Sequence, residues 1–387
     1  MRRLAAAALI VAMHPAPAAA TTVASDAVTL PPYVAAYQPN TVDERGLWMI
    51  ADEEERRLRD SADVLRDPAL NAYVRHVLCR AVGAERCAAI RLYILRIPAF
   101  NATTYANGMM TVWTGALLRL RSEAELAAMF GHEFGHFERR HGVADFRRRR
   151  TTDDVLAWAS ILGGGRDLRT VMIGDVYRFD RAQEREADLL GLRFLAAAAY
   201  PVSAAADIWV RVMAETDATA IGRYRKPDQR FTAGFLATHP TNLTRATYLR
   251  AAAAEIGDRG SAEAAAYRAA LAPWLPQFLA DQIKRNDFGG SEYLLTQLAA
   301  DGWTTPLLFA RGELYRERGH PRDLVNAAGF YRDAIGHGDA PAEAYRGLGL
   351  ALLRSGQAEP GKAALREYLA RKPDAGDTPL IVTLIAS

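Results

Sequence analysis

The sequence has few cysteines, little net charge and no long apolar run after its first residues. Its two cysteines, Cys79 and Cys87, have neither the spacing nor the partner ligands of a zinc knuckle. The longest later apolar stretch, residues 155–165, is only about eleven residues long and ends at Arg166, so it cannot cross a bilayer. The formal net charge is +3, and two of the arginines lie in the first three residues, so general attraction to nucleic acid is not implied.

The first twenty residues have the features of a secretory signal peptide. Arg2 and Arg3 form a positively charged start, residues 4–13 are apolar, and the alanines at 18–20 suit a cleavage site. The alternative is a membrane anchor, but this apolar stretch is shorter than the roughly 20 residues that span a bilayer. No cysteine comes directly after the cleavage site, so a lipoprotein anchor is not indicated. We therefore expect a mature periplasmic protein without a transmembrane span.

The two cysteines leave two possibilities open. An oxidising periplasm would allow Cys79 and Cys87 to form a disulfide if their geometry permits it. Cys79 could equally be a small buried apolar residue.

The hydrophobic periodicity predicts a mainly α fold with a small β-sheet. Residues 52–65 and 67–82 have helical spacing, whereas residues 90–97 and 109–114 have the β-branched and aromatic composition of strands. The stretch between these strands is expected to be irregular. Two further helices are predicted, from Ser122 to about His141 and from near Asp180 to about Ala199, and each begins with a capping pattern.

The C-terminal third contains a degenerate internal repeat. Placing Gly312 over Gly349 also aligns Gly319 with Gly356. The later copy places its aromatic residue, its Leu-Gly pair, its turn glycine and its final proline as a tetratricopeptide repeat does. This pattern predicts an array of helical hairpins.

Residues 132–136 read His-Glu-Phe-Gly-His, which is an H-E-x-x-H motif within a predicted helix. Residues four apart share one face of a helix, so His132 and His136 can bind one tetrahedral zinc ion. Glu133 would then stand beside the open position of the metal. The alternative is a pair of surface histidines on a helix.

A zinc site of this type needs a third protein ligand. His141 is one position too early for the third histidine of a metzincin, because Gly142 occupies that position. Glu184 on the second helix can close the site. Asp188, one turn later on the same face, can accept a hydrogen bond from a ligating histidine and hold its tautomer. Glu186 points elsewhere on that helix and is the weaker candidate for a ligand.

With these motifs the sequence resembles the HtpX-like and CAAX-prenyl-protease-like zinc metallopeptidases, which are gluzincins. It is most similar to their soluble periplasmic BepA-like branch, which carries C-terminal tetratricopeptide-like repeats. The resemblance covers most of residues 43–250, through segments 44–48, 101–102, 115–118, 132–136, 140–141 and 184–188. It implies one zinc ion per chain, held by His132, His136 and Glu184.

The same resemblance extends to a Thr-His-Pro loop followed by an arginine, matched here by residues 238–240 and Arg245. It implies that His239 either stabilises the transition state or occupies the open position of the zinc and silences the enzyme. It also implies that Arg245 helps to hold the oxyanion. The alternative for His239 is a structural loop histidine.

The sequence departs from the family pattern at residues 103–108. Family members commonly have an apolar segment with Pro-Gly after the Asn-Ala pair, whereas this chain has Thr-Thr-Tyr-Ala-Asn-Gly. The following strand is still expected to offer an edge to an extended peptide, with Asn101, Met110 and Val112 as substrate-binding residues. The departure puts the side-chain preferences of this strand in doubt.

Three segments are therefore expected: a signal peptide at 1–20, a zincin-like metallopeptidase domain at 21–255 and an α-helical tetratricopeptide-like repeat region at 256–387. The expected function is zinc-dependent cleavage of unfolded or misassembled polypeptides in the cell envelope, with a protein partner at the repeats. The competing hypothesis is a repeat-bearing chaperone or adaptor with a latent or structural zinc site. Glu133 argues against it, because a purely structural site needs no base beside the metal.

Overall fold

The computed structural model describes residues 30–33, 38–150, 179–227 and 242–387. Within these ranges the chain is mainly helical with one three-stranded sheet, which confirms the predicted fold class. The predicted signal peptide and the Thr-His-Pro loop at residues 238–240 lie outside the described residues.

Helices and strands are numbered in chain order over the described residues. The first part of the chain contains α1 (Val42–Asp60), α2 (Pro68–Val82), α3 (Ala84–Ala88), β1 (Arg91–Leu95), β2 (Ala102–Thr104), β3 (Met109–Trp113), α4 (Thr114–Arg119), α5 (Glu123–Glu138), α6 (His141–Arg150), α7 (Arg181–Ala197), α8 (Ala204–Gly222) and α9 (Asn242–Ile256). The second part contains α10 (Ala264–Leu271), α11 (Leu275–Ile283), α12 (Phe288–Leu298), α13 (Thr305–Arg318), α14 (Pro321–Gly336), α15 (Ala342–Arg354), α16 (Ala358–Arg371) and α17 (Thr378–Ala386).

The two motif-bearing helices, α5 and α7, begin at side-chain caps. The Ser122 hydroxyl accepts a hydrogen bond from the Glu125 amide at 3.2 Å, and this satisfies one of the free amides of the first turn of α5. Asp180 and Gln183 form a reciprocal capping box at the start of α7. Both predicted helix starts are therefore confirmed.

The sheet has the order β1-β3-β2. β3 pairs in parallel with β1 and antiparallel with β2, so it is the central strand. The prediction that β3 offers an edge to substrate is wrong, because both of its sides are already hydrogen-bonded. The stretch expected to be irregular contains the edge strand β2 instead, in which Ala102 pairs with Val112 and Thr104 with Met110.

Cys79 of α2 and Cys87 of α3 form a disulfide, with their Cα atoms 4.9 Å apart. Gly83 makes this possible at the junction of the two helices. It has a φ of 91°, in the left-handed region that glycine adopts without steric cost. The alternative of an unpaired apolar Cys79 is therefore not what the structure shows.

The main hydrophobic core is continuous from α2 to α13. It contains Phe134 of α5, and also Tyr267 of α10 and Leu314 of α13. The packing therefore does not change at residue 255, where the repeat region was expected to begin. Separate apolar clusters lie farther along, around Tyr331 and around Tyr368, and a small one joins α1 to α6 through Leu47 and Val143.

Helices α13 and α14 form one hairpin, and α15 and α16 form a second hairpin in which each helix begins 37 residues later. Gly319 and Gly356 occupy equivalent turns, with φ of 71° and 81°. Tyr331 and Tyr368 are equivalent buried residues in α14 and α16. The structure thus contains a helical hairpin repeat, while its assignment to the tetratricopeptide class stays a prediction.

Candidate metal centre

The two helices that carry the motif residues pack unusually closely, because small residues line their contact. A Cβ atom on Gly131 of α5 would lie 3.2 Å from the Cα of Gly191 of α7. A Cβ on Gly135 would lie 3.1 Å from the Cα of Ala187. Both distances are shorter than ordinary van der Waals contacts, so α5 and α7 could not approach this closely with larger residues. This approach places Glu184 beside the two histidines.

His132, His136 and Glu184 form a cluster of metal-binding atoms that all lie within 4.8 Å of one another. The two Nε2 atoms are 3.1 Å apart, and the Glu184 carboxylate oxygens lie 3.7 Å from His132 Nε2 and 3.5 Å from His136 Nε2. Ligand atoms bound to a tetrahedral zinc at about 2.0–2.1 Å are roughly 3.3 Å apart. The nitrogen and oxygen donors therefore fit zinc in both chemistry and spacing.

Asp188 supports His132 from the side opposite the cluster. Its Oδ1 lies 2.8 Å from His132 Nδ1, as predicted for an acceptor that fixes the tautomer of a ligating histidine. Arg245 donates to the same carboxylate through Nε at 2.9 Å and Nη2 at 2.5 Å, and the Tyr248 hydroxyl also donates to it. Burial alone would raise the pKa of Asp188, but the Arg245 and His132 charges outweigh it and hold the pKa well below its usual range.

Arg245 lies behind the site and is almost fully buried. Its guanidinium stacks on Trp209 at 3.8 Å from the ring centroid, and its Nη1 is 3.7 Å from a Glu184 oxygen. Arg245 therefore lies between the carboxylates of Asp188 and Glu184 and partly compensates their charge. Its expected contact with an oxyanion stays a prediction. His239, expected in the same part of the site, lies outside the described residues.

His136 is supported differently from His132. Its Nδ1 lies 2.9 Å from Nδ1 of His141, the first residue of α6. His141 Nε2 lies 3.4 Å from a Glu186 oxygen. The ring of Phe179 stacks on His136 with 3.9 Å between centroids and 16° between planes. Glu186 therefore faces His141 and not the metal-binding atoms, in agreement with its lower rank as a ligand.

Glu133 is buried beside the three donor residues. Burial and then the Glu184 charge raise the pKa of Glu133 to about 8, although Arg245 and the neighbouring Thr104 act in the opposite direction. The positive charge of a bound metal would also favour the ionised form. A carboxylate with its pKa near neutrality can accept and return a proton, as general acid–base catalysis requires.

The edge strand β2 lies next to Glu133. Thr103 pairs with Thr111 of β3, and the backbone of the alternate residues Ala102 and Thr104 faces away from β3. The contact of Thr104 with Glu133 shows that this outer side of β2 faces α5.

Two of the predicted substrate-binding residues are misplaced for that role. Met110 and Val112 are completely buried in the central strand β3, because β2 and not β3 forms the edge. Asn101 immediately precedes β2 and is partly exposed. Its carbonyl accepts from the Trp113 amide at 3.0 Å. A substrate contact by Asn101 stays a prediction.

Residues 64–253 match the sequence model of peptidase family M48. The chain contains an M48 peptidase domain. This domain extends from the start of the core into α9, and it includes the donor residues together with Glu133 and Arg245. M48 metallopeptidases depend on zinc, so the family confirms the predicted cofactor.

Curated relatives of the M48 domain come from mitochondria and bacteria. The mitochondrial metalloendopeptidase OMA1 of Schizosaccharomyces pombe is 30% identical over 178 residues, which cover 45% of this chain and 50% of that protein. OMA1 of Arabidopsis thaliana is 30% identical over 158 residues, or 40% of this chain and 30% of the relative. The beta-barrel assembly-enhancing protease of Escherichia coli K12 is 24% identical over 162 residues, or 38% and 33%.

The chain spans half or less of the length of the curated relatives that it matches. The similarity therefore concerns the M48 domain and not the whole proteins. Among the helices of the described ranges, none combines the length and apolar character that a membrane span requires.

Reasoning from the sequence did not find four residues around the M48 metal centre. His141 is a partner of His136. Tyr248 and Trp209 surround the Asp188–Arg245 pair. Gly191 lies where the two helices cross. The Arg140-His141 pair belongs to the family resemblance, but nothing in the sequence connects it to His136. Gly191 lies seven positions after Glu184, about two helical turns, and this spacing was a signal for a close helix contact.

Proposed function

We propose that this chain is a zinc-dependent endopeptidase that cleaves unfolded or misassembled polypeptides in the cell envelope. The observation that carries the proposal is the position of Glu133, a buried carboxylate of raised pKa beside a two-histidine, one-glutamate donor set. The family and the metalloendopeptidase names of its relatives support the same reaction class.

His132, His136 and Glu184 would hold the zinc ion. Zinc bound there supplies Lewis-acid activation of a water molecule and of the scissile carbonyl. Glu133 takes the proton of the attacking water on its carboxylate and later delivers it to the leaving amine. Asp188 and Arg245 keep His132 and Glu184 oriented, so the donor set does not have to reorganise during the reaction.

The outer side of β2 supports extended polypeptides as substrates. An extended peptide can pair with the backbone of Ala102 and Thr104 next to Glu133, which requires that the substrate segment be unfolded. Among the described residues no other strand pairs with this side of β2. Backbone pairing selects for conformation more than for sequence, which suits a quality-control protease.

Two features support an envelope location. The N-terminal pattern that we interpret as a signal peptide would direct export. A disulfide between Cys79 and Cys87 persists in oxidising compartments such as the periplasm. The name of the Escherichia coli relative adds the hypothesis that misassembled outer-membrane proteins are among the substrates.

His239 would act at the open position of the zinc, as an aid to catalysis or as a plug.

The hairpin repeat favours a second candidate, an adaptor or chaperone whose zinc site is latent. Comparison of Glu133→Gln with Glu184→Ala in cells separates the two functions. Rescue by Glu133→Gln but not by Glu184→Ala would favour the adaptor, because only the second variant loses a metal ligand. Failure of both to rescue supports the protease.

The direct test is cleavage of unfolded casein by the mature chain and by its Glu133→Gln variant, with the zinc content measured on both. We expect about one zinc per chain in each sample and cleavage by the wild type alone, reduced about 100-fold or more in the variant. If both hold zinc and neither cleaves, His239→Ala tests whether that residue blocks the site. A wild type and His239→Ala that both hold zinc and are both inactive would contradict the proposed reaction.

A further inference from the structure

The nitrogen of His136 that points away from the other two donors contacts another imidazole. The contact joins Nδ1 of His136 to Nδ1 of His141 at 2.9 Å, and His141 is buried. Between α5 and α6, Arg140 has a φ of 56°, in the left-handed region that is uncommon for residues other than glycine. This turn reverses the chain and brings His141 back against the end of α5.

The arrangement determines where the protons lie on both rings. Nε2 of His136 points at the other two donors, at 3.1 Å from His132 Nε2 and 3.5 Å from Glu184 Oε1, so its lone pair must stay available for the metal. The proton of the neutral His136 ring must therefore be on Nδ1. Because this N–H faces His141 Nδ1, that atom must accept, and His141 must carry its own proton on Nε2.

Glu186 is in place to accept a hydrogen bond from the Nε2–H of His141. One of its carboxylate oxygens lies 3.4 Å from His141 Nε2, and the other accepts from Arg139 Nε at 3.0 Å. Glu186 is half exposed, whereas His141 is enclosed. The series of contacts thus runs from the buried ring of His136, through the buried ring of His141, to the half-exposed carboxylate of Glu186.

We propose that His141, oriented by Glu186, is a positioning residue that holds His136 as the Nδ1–H tautomer and so directs its Nε2 lone pair to the zinc. The inference rests on the proposed zinc site, but it concerns affinity for the metal and not the cleavage step. His132 has a carboxylate as its support, whereas His136 has a neutral imidazole. Substitution of such outer partners typically lowers metal affinity about 10- to 100-fold.

The test compares His141→Leu with His141→Asn in the full-length mature protein. Leucine fills the space but removes the acceptor, whereas the Asn side-chain oxygen can take the place of Nδ1. His76→Leu, at an exposed histidine of α2, is the matched control. The zinc dissociation constant is measured by competition with a chromogenic chelator, and the thermal melt of each zinc-free protein reports whether the fold is intact.

We expect His141→Leu to weaken zinc binding about 10- to 100-fold, His141→Asn by less than about 3-fold, and His76→Leu not at all. Wild-type affinity in His141→Leu would overturn the proposal. So would equal weakening in His141→Leu and His141→Asn with unchanged melts of the zinc-free proteins, because the acceptor would then be irrelevant.

If His141→Leu does not fold, Glu186→Ala decides the question, since this half-exposed residue can be removed without opening the core. Weaker zinc binding in Glu186→Ala than in Glu186→Gln would support the proposal that Glu186 orients His141. Wild-type affinity in both variants would overturn it. Failure of the proposed function has a different signature. A wild type and a His239→Ala variant that both bind zinc but cleave nothing contradict the protease, while the affinity comparison still decides the role of His141.

Discussion

Gly131 and Gly191 face one another where α5 crosses α7, so closely that a Cβ on Gly131 would lie 3.2 Å from the Cα of Gly191. The two helices carry separate parts of the metal centre, with the histidines on α5 and Glu184 on α7. The distance between α5 and α7 is therefore determined by two glycines that are not themselves metal donors. The distance between the nitrogen and oxygen donors depends on this contact.

Replacement of Gly191 by valine tests this dependence. A Cβ at Gly191 would lie 3.2 Å from the backbone nitrogen of His132, and the two methyl groups of valine would force α7 away from α5. We expect a loss of about 1 to 3 kcal/mol in unfolding free energy and weaker zinc binding. Urea unfolding and chelator competition measure the two effects. Gly46→Val in α1 is the control, because nothing lies within 4 Å of a Cβ at Gly46; equal effects of both variants would contradict the interpretation.

Arg245→Ala should destabilise the protein strongly. Arg245 is buried and makes two hydrogen bonds to Asp188, so its removal leaves a buried carboxylate with reduced compensation. Breaking a buried ion pair in this way costs about 3 to 5 kcal/mol. Thermal or urea unfolding of the zinc-free protein measures the loss.

A double-mutant cycle separates this effect from lost packing against Trp209. The Arg245→Ala, Asp188→Asn double variant should be less destabilised than the sum of the single variants, because Asp188→Asn removes the uncompensated charge. Additive losses would show that Arg245 acts mainly through its contact with the Trp209 ring.

Glu55 of α1 is expected to make the fold sensitive to acid. Burial raises its pKa, but hydrogen bonds from Arg91, Tyr93 and Arg59 outweigh burial and lower the pKa from 4.5 to about 2. A depressed pKa stabilises the fold above the unfolded value and loses that contribution as the pH falls through the folded value. The contribution should therefore decline between about pH 4.5 and pH 2.

The measurement is the unfolding free energy of the wild type and of Glu55→Gln across this pH range. Near pH 7 we expect a difference of about 1 to 2 kcal/mol, after allowance for solvent screening at the partly exposed arginines. The difference should vanish towards pH 2. Glu53→Gln on the exposed side of the same helix is the control and should change little at any pH. A pH-independent difference for Glu55→Gln would argue against the assignment.

Gly347→Ala should destabilise the hairpin repeat without affecting zinc. A Cβ on Gly347 would lie 2.4 Å from Cζ of Tyr331, so the tyrosine would have to move within a packed cluster. Overpacking of this kind costs about 1 to 3 kcal/mol. Urea unfolding measures the loss, and chelator competition measures the zinc affinity.

Gly329→Ala on α14 is the matched substitution, since nothing lies within 4 Å of a Cβ there. It should be neutral or stabilise by about 0.5 to 1 kcal/mol, because alanine favours a helix more than glycine does. A fall in zinc affinity in Gly347→Ala alone would show that the repeat and the metal centre are coupled, contrary to the prediction.

Features that depend on residues close together in the sequence were predictable without the structure. The spacing of His132 and His136 places both on one helical face whatever surrounds the helix, and the caps at Ser122 and Asp180 determine where α5 and α7 begin. Asp188 could be predicted as a partner because it follows Glu184 by four residues. The resemblance added the role of Glu184 to this local pattern.

The strand order was not predictable in the same way. β2 has only three residues, too few to show an alternating pattern, so the sequence predicts an irregular stretch there. A complete strand was visible at residues 109–113, but which strands pair with it depends on contacts with distant residues. The substrate edge was therefore assigned to β3, where Met110 and Val112 are buried, instead of β2.

The sequence by itself determined the two histidine donors, the glutamate between them and the helices that carry the motifs, because these follow from spacing within one helix; Glu184 was added by the family resemblance. Only the tertiary structure decided how close α5 and α7 approach, which strand is the edge, and that His141 contacts His136. These relationships join residues through packing and through a left-handed turn at Arg140. Their energies come from contacts between separate elements, and no local pattern of residues encodes such contacts.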